Sequence, residues 1–301
     1  MIRVEGLSKV FRRPKTFTGP FGAVRTLLTR QYEEKVAVED VSFSVGEGEV
    51  VGYLGPNGAG KSTTIKILTG ILTPTSGVVE VAGRVPWRER KANARSVGVV
   101  FGQRSQLWWD LPLIESLRLV GALYDVPAQR FTASLNRLRD VLGLDGFLDT
   151  PVRQLSLGQR MRGDLAAAML YEPPLLYLDE PTVGLDVLAK EAVRDFIVET
   201  NRLGRTTVVL TTHDLADVEA LCKRIILIDG GKVVYDGEIE ALVSSYAPPR
   251  RLVVHLFDGE DLSFEIKGSL PELVASVSAE HRIRDMSIEE PDLESVIKRI
   301  Y

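Results

Sequence analysis

The segment that decides the fold reads Gly55-Pro56-Asn57-Gly58-Ala59-Gly60-Lys61-Ser62, followed by Thr63. Its spacing fits G-x-x-x-x-G-K-[ST]. It lies between Val50–Leu54, an apolar run typical of a buried strand, and a stretch with helical spacing that ends at Gly70. Glycines allow successive backbone N–H groups to turn towards an anion, and the positive end of the helix dipole points to the same place. The sequence therefore predicts a phosphate-binding loop that opens a helix.

Two side chains of this loop suit nucleotide phosphates, and a second motif supplies acids. We expect Lys61 to reach the β- and γ-phosphates and the Ser62 hydroxyl to bind Mg²⁺. The apolar run Leu175–Leu178 is followed by Asp179 and Glu180. A strand that ends in Asp places a carboxylate at the C-terminal edge of the sheet, near the metal. The next residue, Glu180, is suitably placed to polarise a water for attack on the γ-phosphate.

Other apolar runs indicate the class of the main domain. Val97–Phe101 and Thr207–Leu210 are typical of central parallel strands, and helical patterns separate them. Between the strands near 97 and 175, apolar residues recur at helical spacing in Leu113–Tyr124, Arg130–Leu142 and Gln159–Leu170. The pattern predicts an α/β sheet domain with a helical insertion.

The pattern changes from about residue 247, after which Pro248-Pro249 is the expected linker. Two strand-like runs flank Asp258-Gly259, a hairpin turn signal, and a helix, a strand and a last helix should follow. The runs are Arg251–Phe257, Leu262–Ile266, Pro271–Ser278, Ile283–Ile288 and the segment from Asp292. They predict a small α+β domain.

Composition excludes several classes of protein. The chain has 301 residues and a net charge of −4, which argues against binding nucleic acid through bulk electrostatics. Cys222 is the single cysteine, so neither an internal disulfide nor a cysteine-based zinc cluster can form. The N-terminus is a poor signal peptide, and no run of about eighteen apolar residues occurs. We therefore expect a soluble chain whose membrane role, if any, is peripheral.

The segment from Arg12 to Lys35 fits no core pattern. It combines basic residues with Phe17, Phe21 and two leucines. One interpretation is a solvated loop with a short amphipathic helix. The other is a basic, aromatic surface that touches lipid headgroups or a membrane partner.

The segment Leu155-Ser156-Leu157-Gly158-Gln159-Arg160 resembles the LSGGQ signature of ABC transporter nucleotide-binding subunits, and the resemblance covers about residues 1–240. It implies a P-loop NTPase (RecA-like) α/β sheet core with an antiparallel β subdomain and an α-helical subdomain at about 104–171. Residues 247–301 would form the small α+β accessory domain.

In that family, the signature of one subunit caps the γ-phosphate held by the other subunit's glycine loop. The resemblance therefore implies a second copy of the chain as partner and MgATP as ligand, with Ser156, Gly158 and Gln159 acting in trans through a helix N-terminus. Leu157 replaces the usual first glycine, a departure that affects the closest backbone approach to the phosphate.

Further family elements follow in order. Gln103 resembles the Q-loop glutamine that senses Mg²⁺ and links to the membrane partner, with Gln106 as the alternative. Gly184-Leu185-Asp186 resembles the D-loop, which crosses the dimer interface. Thr211-Thr212-His213-Asp214 resembles the H-loop, whose histidine contacts the γ-phosphate and the attacking water.

The family also places an aromatic side chain against adenine. Tyr32 lies at a suitable distance before the glycine loop, and Phe11 follows the Leu7-Ser8-Lys9 stretch where this aromatic usually occurs. The resemblance favours Tyr32 and leaves Phe11 as the alternative. Either ring could instead pack against the sheet.

Three segments are similar to bacterial export ATPases that pair with a separate permease. They are the basic Arg12–Lys35 insertion, the run Trp108-Trp109-Asp110-Leu111-Pro112, and the small C-terminal domain, in which Ile288–Val296 resembles the terminal helix motif of drug- and ion-export ATPases. Adjacent tryptophans cannot both face one core on a regular element, so an interface role competes with burial. The terminal acids suit either a dimer-supporting or regulatory module or an ordinary helix N-terminus. The resemblance implies an exporter subunit, cytoplasmic and peripheral on the inner face of the cell membrane, with no nucleic acid partner.

The rival class is a soluble ABC-type regulator acting on ribosomes or DNA. Such proteins usually carry two cassettes or a long coiled coil, whereas this chain has one cassette and no sustained heptad run. An unrelated P-loop GTPase or kinase would leave the signature, Gln103 and His213 unexplained.

Overall fold

The computed structural model describes residues 1–15, 32–102, 104–204, 206–246, 248–257, 259–289 and 293–300, without the side chains of 203 and 204. Gln103, the turn residue Asp258 and most of the basic insertion lie outside these residues. Contacts divide the chain into two compact units, Met1–Asp236 and Gly237–Tyr301, which are described separately.

The first unit contains two sheets. Its strands are β1 Ile2–Pro14, β2 Tyr32–Val45, β3 Val50–Leu54, β4 Ser76–Val81, β5 Val97–Phe101, β6 Leu175–Asp179, β7 Thr207–Thr211, β8 Arg224–Asp229 and β9 Lys232–Glu238, whose last two residues fall in the second unit. Its helices are α1 Lys61–Leu68, α2 Arg90–Ser96, α3 Leu113–Leu123, α4 Ala128–Leu142, α5 Leu157–Met169, α6 Val187–Gly204 and α7 Leu215–Leu221.

The larger sheet has the order β5-β6-β7-β3-β8-β9. The first five strands in this order, including β3, are parallel. Strands β6 and β7 are buried on both faces, which explains their uninterrupted apolar sequence. Because parallel strands end at one edge, the segments that follow β3, β5, β6 and β7 meet there. This edge carries the predicted phosphate loop and both predicted acids.

The smaller sheet, in the order β2-β1-β4, is antiparallel. Apolar side chains of both sheets and of α1 form one core cluster, in which Phe43 of β2 and Tyr53 of β3 have ring centroids 5.5 Å apart. Strands β1 and β2 continue beyond this core as a long ladder that ends at the pair Pro14 and Tyr32. The ladder places Phe11 and Arg13 of β1 beside the phosphate loop.

Helices α3, α4 and α5 lie between β5 and β6 in sequence, as the apolar spacing predicted. Leu117, Leu138 and Leu165 are buried members of the three helices. Helix α5 begins two residues earlier than predicted because Ser156 caps it. A Cβ at Gly163 would lie 2.8 Å from Leu113 Cδ1, so the glycine permits the close approach of α3 to α5.

The second unit is a small α+β fold. It contains α8 Ile239–Tyr246, β10 Arg251–Leu256, β11 Asp261–Glu265, α9 Leu270–Glu280, β12 Ile283–Glu289 and α10 Leu293–Ile300. The antiparallel sheet has β10 in its centre, and Leu252, Val254 and Leu256 pack with Val277 of α9. The predicted order of elements and the α/β fold class are confirmed. In the described ranges, no helix combines the length and apolar composition that crossing a bilayer requires.

Candidate nucleotide site

The loop between β3 and α1 has a shape that only glycine permits. Gly60, the N-cap of α1, has φ 109°. A Cβ there would lie 2.5 Å from the Ala37 carbonyl oxygen. A Cβ at Gly55 would lie 2.2 Å from the Ile228 carbonyl oxygen. The loop is thus held against the backbone of β2 and β8, with its N–H groups at the start of a helix.

Lys61 is the buried cation of this loop. Its side chain is folded back so that Nζ donates to the carbonyl oxygens of Gly55 (2.6 Å) and Pro56 (3.2 Å). Burial lowers the pKa of Lys61, and the nearby carboxylates of Glu180 and Asp179 oppose that change. The ammonium therefore lies inside the loop, where the predicted phosphates would neutralise it.

Hard oxygen atoms lie opposite the loop at the ends of β6 and β7. Ser62 Oγ donates to Asp179 Oδ2 over 3.4 Å, and Thr211 Oγ1 donates to Asp179 Oδ1. The described residues hold no cluster of three or more His, Cys, Asp or Glu side chains that could bind a metal. One hydroxyl and one carboxylate fit Mg²⁺, which keeps several waters and takes phosphate oxygens as ligands.

Glu180 and His213 lie together at the same edge. Glu180 has φ 57°, unusual for a residue with a side chain, and its N–H donates to the Thr211 carbonyl over 2.8 Å. His213 Nδ1 is 3.5 Å from Glu180 Oε1, with 67% of the imidazole and 22% of the carboxylate side chain exposed. An acid and a ring nitrogen are therefore both accessible to a water in the cleft.

Two adjoining cavities bring the predicted residues together. The first, of about 890 Å³, is lined by Gly55, Pro56, Asn57, Ser62, Asp179, Glu180 and His213, together with Arg104. The second, of about 270 Å³, is lined by Gly58, Gly60, Lys61 and Thr63, and by Phe11, Arg13 and Lys35 of the ladder. Ala59 is instead part of the apolar core.

The aromatic residue beside the loop is Phe11, the alternative, rather than Tyr32. Phe11 pairs with Lys35 in the ladder and lines the second cavity. Tyr32 pairs with Pro14, three ladder positions farther out, and is 58% exposed. At about 3.4 Å per residue, that places Tyr32 roughly 10 Å beyond Phe11. Because the ladder extends past the core, the number of residues between an aromatic and the glycine loop does not give their distance in space.

The signature residues lie elsewhere on the surface. Ser156 Oγ accepts from the Gln159 N–H (3.2 Å) and Gln159 Oε1 accepts from the Ser156 N–H (2.9 Å), a reciprocal cap of α5. Leu157, 38% exposed, has its Cδ2 3.1 Å from the position of a Cβ on Gly184. A Cβ on Gly158 would lie 2.8 Å from the Cβ of Ala189.

Asp186 of the predicted D-loop caps α6, since its Oδ1 accepts from the Ala189 N–H over 2.8 Å. The described residues that line the two cavities include none of the four predicted signature and D-loop residues, Ser156, Gly158, Gln159 and Asp186. Gln103 lies outside the described residues, and Gln106 donates to a carbonyl of α5.

The structure contains a buried polar network that the sequence pattern did not predict. Asp217 of α7 is fully buried and accepts from Thr182 Oγ1 and from Arg194 Nε (2.6 Å). The network ties the segment after Glu180 to α6 and α7. Nearby, Lys190 donates to the Asp214 carboxylate and lowers its pKa. Single polar residues in amphipathic helices gave no signal of these contacts.

Comparisons with known proteins agree with this geometry. A family model described as "ABC transporter" matches residues 38–183. The ABC transporter ATP-binding protein NatA of Bacillus subtilis is 33% identical over 72% of this chain and 89% of its own length. The Nod factor export ATP-binding protein I of Sinorhizobium fredii is 36% identical over 72% of this chain and 63% of its own. The methionine import ATP-binding protein MetN of Geobacillus kaustophilus is 34% identical over 75% and 67%.

Solved structures with the same fold are also ATP-binding cassettes. A structure described as the ATP-binding subunit of an ABC transporter matches with a TM-score of 0.67 and 26% identity, over 92% of this chain and 99% of that one. A dimeric ATP-binding cassette in a post-hydrolysis state, bound to ADP and Pi, matches with a TM-score of 0.65 and 25% identity over 79% and 98%. This chain therefore belongs to the ABC transporter family as one of its ATP-binding subunits, an ATPase that uses ATP with Mg²⁺.

Proposed function

We propose that two copies of this chain close head to tail around two MgATP molecules and that closure drives export through a separate membrane permease. One observation carries the proposal: Ser156, Gly158 and Gln159 are presented at a capped helix N-terminus outside both cavities of their own phosphate loop. A helix N-terminus binds anions, so these residues suit a phosphate held by another copy. The dimeric cassette among the similar structures supports this arrangement.

Phosphate binding rests on the loop. The N–H groups after Gly58 and the Lys61 ammonium contact the β- and γ-phosphates, and Lys61 leaves its carbonyl partners to do so. Ser62 and Asp179 would hold Mg²⁺, which would supply positive charge to neutralise the phosphates. On the base side, Phe11 stacks on adenine while Arg13 and Lys35 face the rest of the nucleotide.

Hydrolysis uses positioned groups rather than covalent chemistry. Glu180 accepts a proton from the attacking water, whose oxygen bonds to the γ-phosphorus as the bond to the β–γ bridging oxygen breaks. His213, 3.5 Å from Glu180, orients the water and contacts the γ-phosphate. Ser156 and Gln159 of the second copy complete the site, Asp186 crosses the interface, and Gln103 is assigned to Mg²⁺ sensing. ADP and phosphate then separate and the dimer reopens.

The surface after β5 suits a permease. Trp108 and Trp109 are 42% and 52% exposed, and on α3 Leu123 is 71% exposed. Exposed aromatic and aliphatic side chains beside charged neighbours are typical of interface anchors. We place the chain at the inner face of the cell membrane through this contact, with residues 1–240 as the nucleotide-binding domain and 247–301 as an accessory module.

The export direction rests on the Nod factor export relatives and on the basic insertion, and the methionine import relative argues the other way. The proposal is tested by purifying the Glu180→Gln chain with ATP from detergent-solubilised native membranes. A polytopic permease should co-purify, whereas recovery of the chain alone or with ribosomes contradicts the transporter role.

Direction is tested with that complex in proteoliposomes whose ATPase subunits face outwards. An exporter takes its substrate from the ATPase side, so candidate substrates added outside should stimulate hydrolysis. Stimulation that requires substrate inside the vesicle contradicts export.

A further inference from the structure

Residues 105–109, the linking segment, follow one face of α5 towards the helix end that carries the signature. Ser105 and Gln106 contact Asp164, and Leu107 packs on Gly163, where a Cβ would lie 3.0 Å from Leu107 Cδ1. Four residues closer to Ser156, the guanidinium of Arg160 lies 5.2 Å from the centre of the Trp109 ring. The segment thus connects the end of the phosphate cleft with the first turns of the signature helix.

Asp164 is the polar attachment point of this segment. Its Oδ1 accepts from Ser105 Oγ (3.0 Å) and from the Gln106 N–H (2.9 Å). Gln106 Nε2 also donates to the Asp164 carbonyl oxygen over 3.0 Å. Three hydrogen bonds therefore join two consecutive loop residues to one helical residue.

Burying the Asp164 carboxylate at this position costs free energy of folding. Asp164 is 5% exposed, and burial raises its pKa to about 6 against the opposing effects of Gln106, Ser105 and Arg160. Its neighbours in α5, Gly163, Leu165 and Ala166, are small or apolar, so an alanine would satisfy helix packing at less cost. The free-energy cost of this burial is offset in part by the hydrogen bonds that Asp164 accepts from Ser105 and Gln106.

The far end of the segment is attached less rigidly. Arg160 Nε is buried without a hydrogen-bond partner in the described structure, while its guanidinium lies over half-exposed Trp109. Arg153 N–H donates to the Trp109 carbonyl over 2.9 Å. A displacement of the two tryptophans would therefore be transmitted to α5 by two routes. One is the set of hydrogen bonds between the linking segment and Asp164, and the other is the contact between Trp109 and Arg160.

We propose that Asp164 is a positioning residue, which fastens the linking segment to α5 so that movement of Trp108 and Trp109 is transmitted to Ser156. The inference rests on the proposed two-copy site. Asp164 is not among the described residues that line the two cavities of the phosphate loop. Its loss should leave nucleotide binding to a single chain intact and weaken the step that needs a correctly placed signature.

The test compares full-length variants by steady-state ATPase kinetics and by equilibrium binding of a fluorescent ATP analogue. Asp164→Ala should lower kcat about tenfold, as expected for lost bonds to a charged acceptor, with analogue affinity changed less than about twofold. Asp164→Asn keeps the Oδ1 acceptor and should retain at least about half of kcat. Asp140→Ala removes an exposed acid from the same helical region and serves as the matched control.

A second variant protects the test against misfolding. Ser105→Ala with Gln106→Ala removes two of the three bonds from exposed loop positions and should lower kcat about threefold. If both the loop variant and Asp164→Ala have a normal kcat, the inference is overturned. If Asp164→Ala fails to fold, a normal kcat in the loop variant is enough to overturn it. In the Glu180→Gln background, Asp164→Ala should also weaken ATP-dependent dimerisation. If Glu180→Gln alone fails to dimerise with ATP, the two-copy site fails instead.

Discussion

Replacing Asp164 by asparagine should stabilise the first unit at neutral pH and lose that advantage in acid. Burial raises the pKa of this carboxyl from 3.8 to about 6. Between those values the folded chain holds a proton that the unfolded chain has released, so stability falls as pH rises through the window. Well above pH 6 both states are ionised, and well below pH 3.8 both are protonated, so the contribution is constant in those two ranges.

The size of the effect follows from the same two values. Each pKa unit is worth about 1.4 kcal/mol, so the wild-type chain should lose about 2 kcal/mol relative to Asp164→Asn between pH 4 and pH 7. Asparagine has no charge to bury and can still accept from Ser105 and Gln106 through Oδ1. Arg160 is the charged group that favours ionised Asp164 most, and its effect is already included in the raised pKa.

Urea unfolding followed by tryptophan fluorescence measures this difference. The three tryptophans, Trp87, Trp108 and Trp109, all belong to the first unit, so the signal reports the unit that contains Asp164. The difference in unfolding free energy between variant and wild type should rise with pH from 4 to 6 and then level off. A difference that is independent of pH, or that falls as pH rises, would refute the burial argument.

The other predictions concern the nucleotide site directly. Glu180→Gln should lower kcat at least about a hundredfold while ATP still induces a dimer on size exclusion, because binding does not need the carboxylate; hydrolysis at the normal rate would exclude Glu180 as the base. Gly60→Ala should abolish binding of a fluorescent ATP analogue, since its Cβ would lie 2.5 Å from the Ala37 carbonyl at φ 109°, whereas Gly146→Ala, with open space around it, should bind normally. Phe11→Ala should raise the KM for ATP about tenfold through loss of base stacking, and Tyr32→Ala should leave it unchanged; the reverse pattern would restore Tyr32 to the base site.

Much of the fold was readable because its signals are local. The strand Val50–Leu54 and the glycine-rich segment after it are contiguous, and the structure begins α1 at Lys61, next to Gly60. Buried parallel strands read as apolar runs, which placed β5, β6 and β7 within one residue. Motifs at the ends of such strands meet at one edge by topology alone.

What could not be read depends on contacts between distant segments. The Asp217 network joins residues 23 and 35 positions apart, and the bonds between Asp164 and the linking segment span 58 and 59 positions. Hydrogen bonds of this kind leave no periodicity in the sequence. The length of the β1–β2 ladder was also invisible, because the basic insertion interrupts the strand pattern, and that is why Phe11 rather than Tyr32 lies beside the loop.

Mixing two inactive variants tests most directly whether each ATP site is completed by the other copy. Glu180→Gln lacks the base, and Ser156→Arg blocks the signature. In a head-to-tail dimer of one chain of each kind, one site carries both defects and the other carries none. An equal mixture, combined before ATP is added, should recover up to about a quarter of wild-type activity, because half of the dimers are mixed and each has one intact site. Activity no greater than that of the two variants measured separately would contradict the shared site.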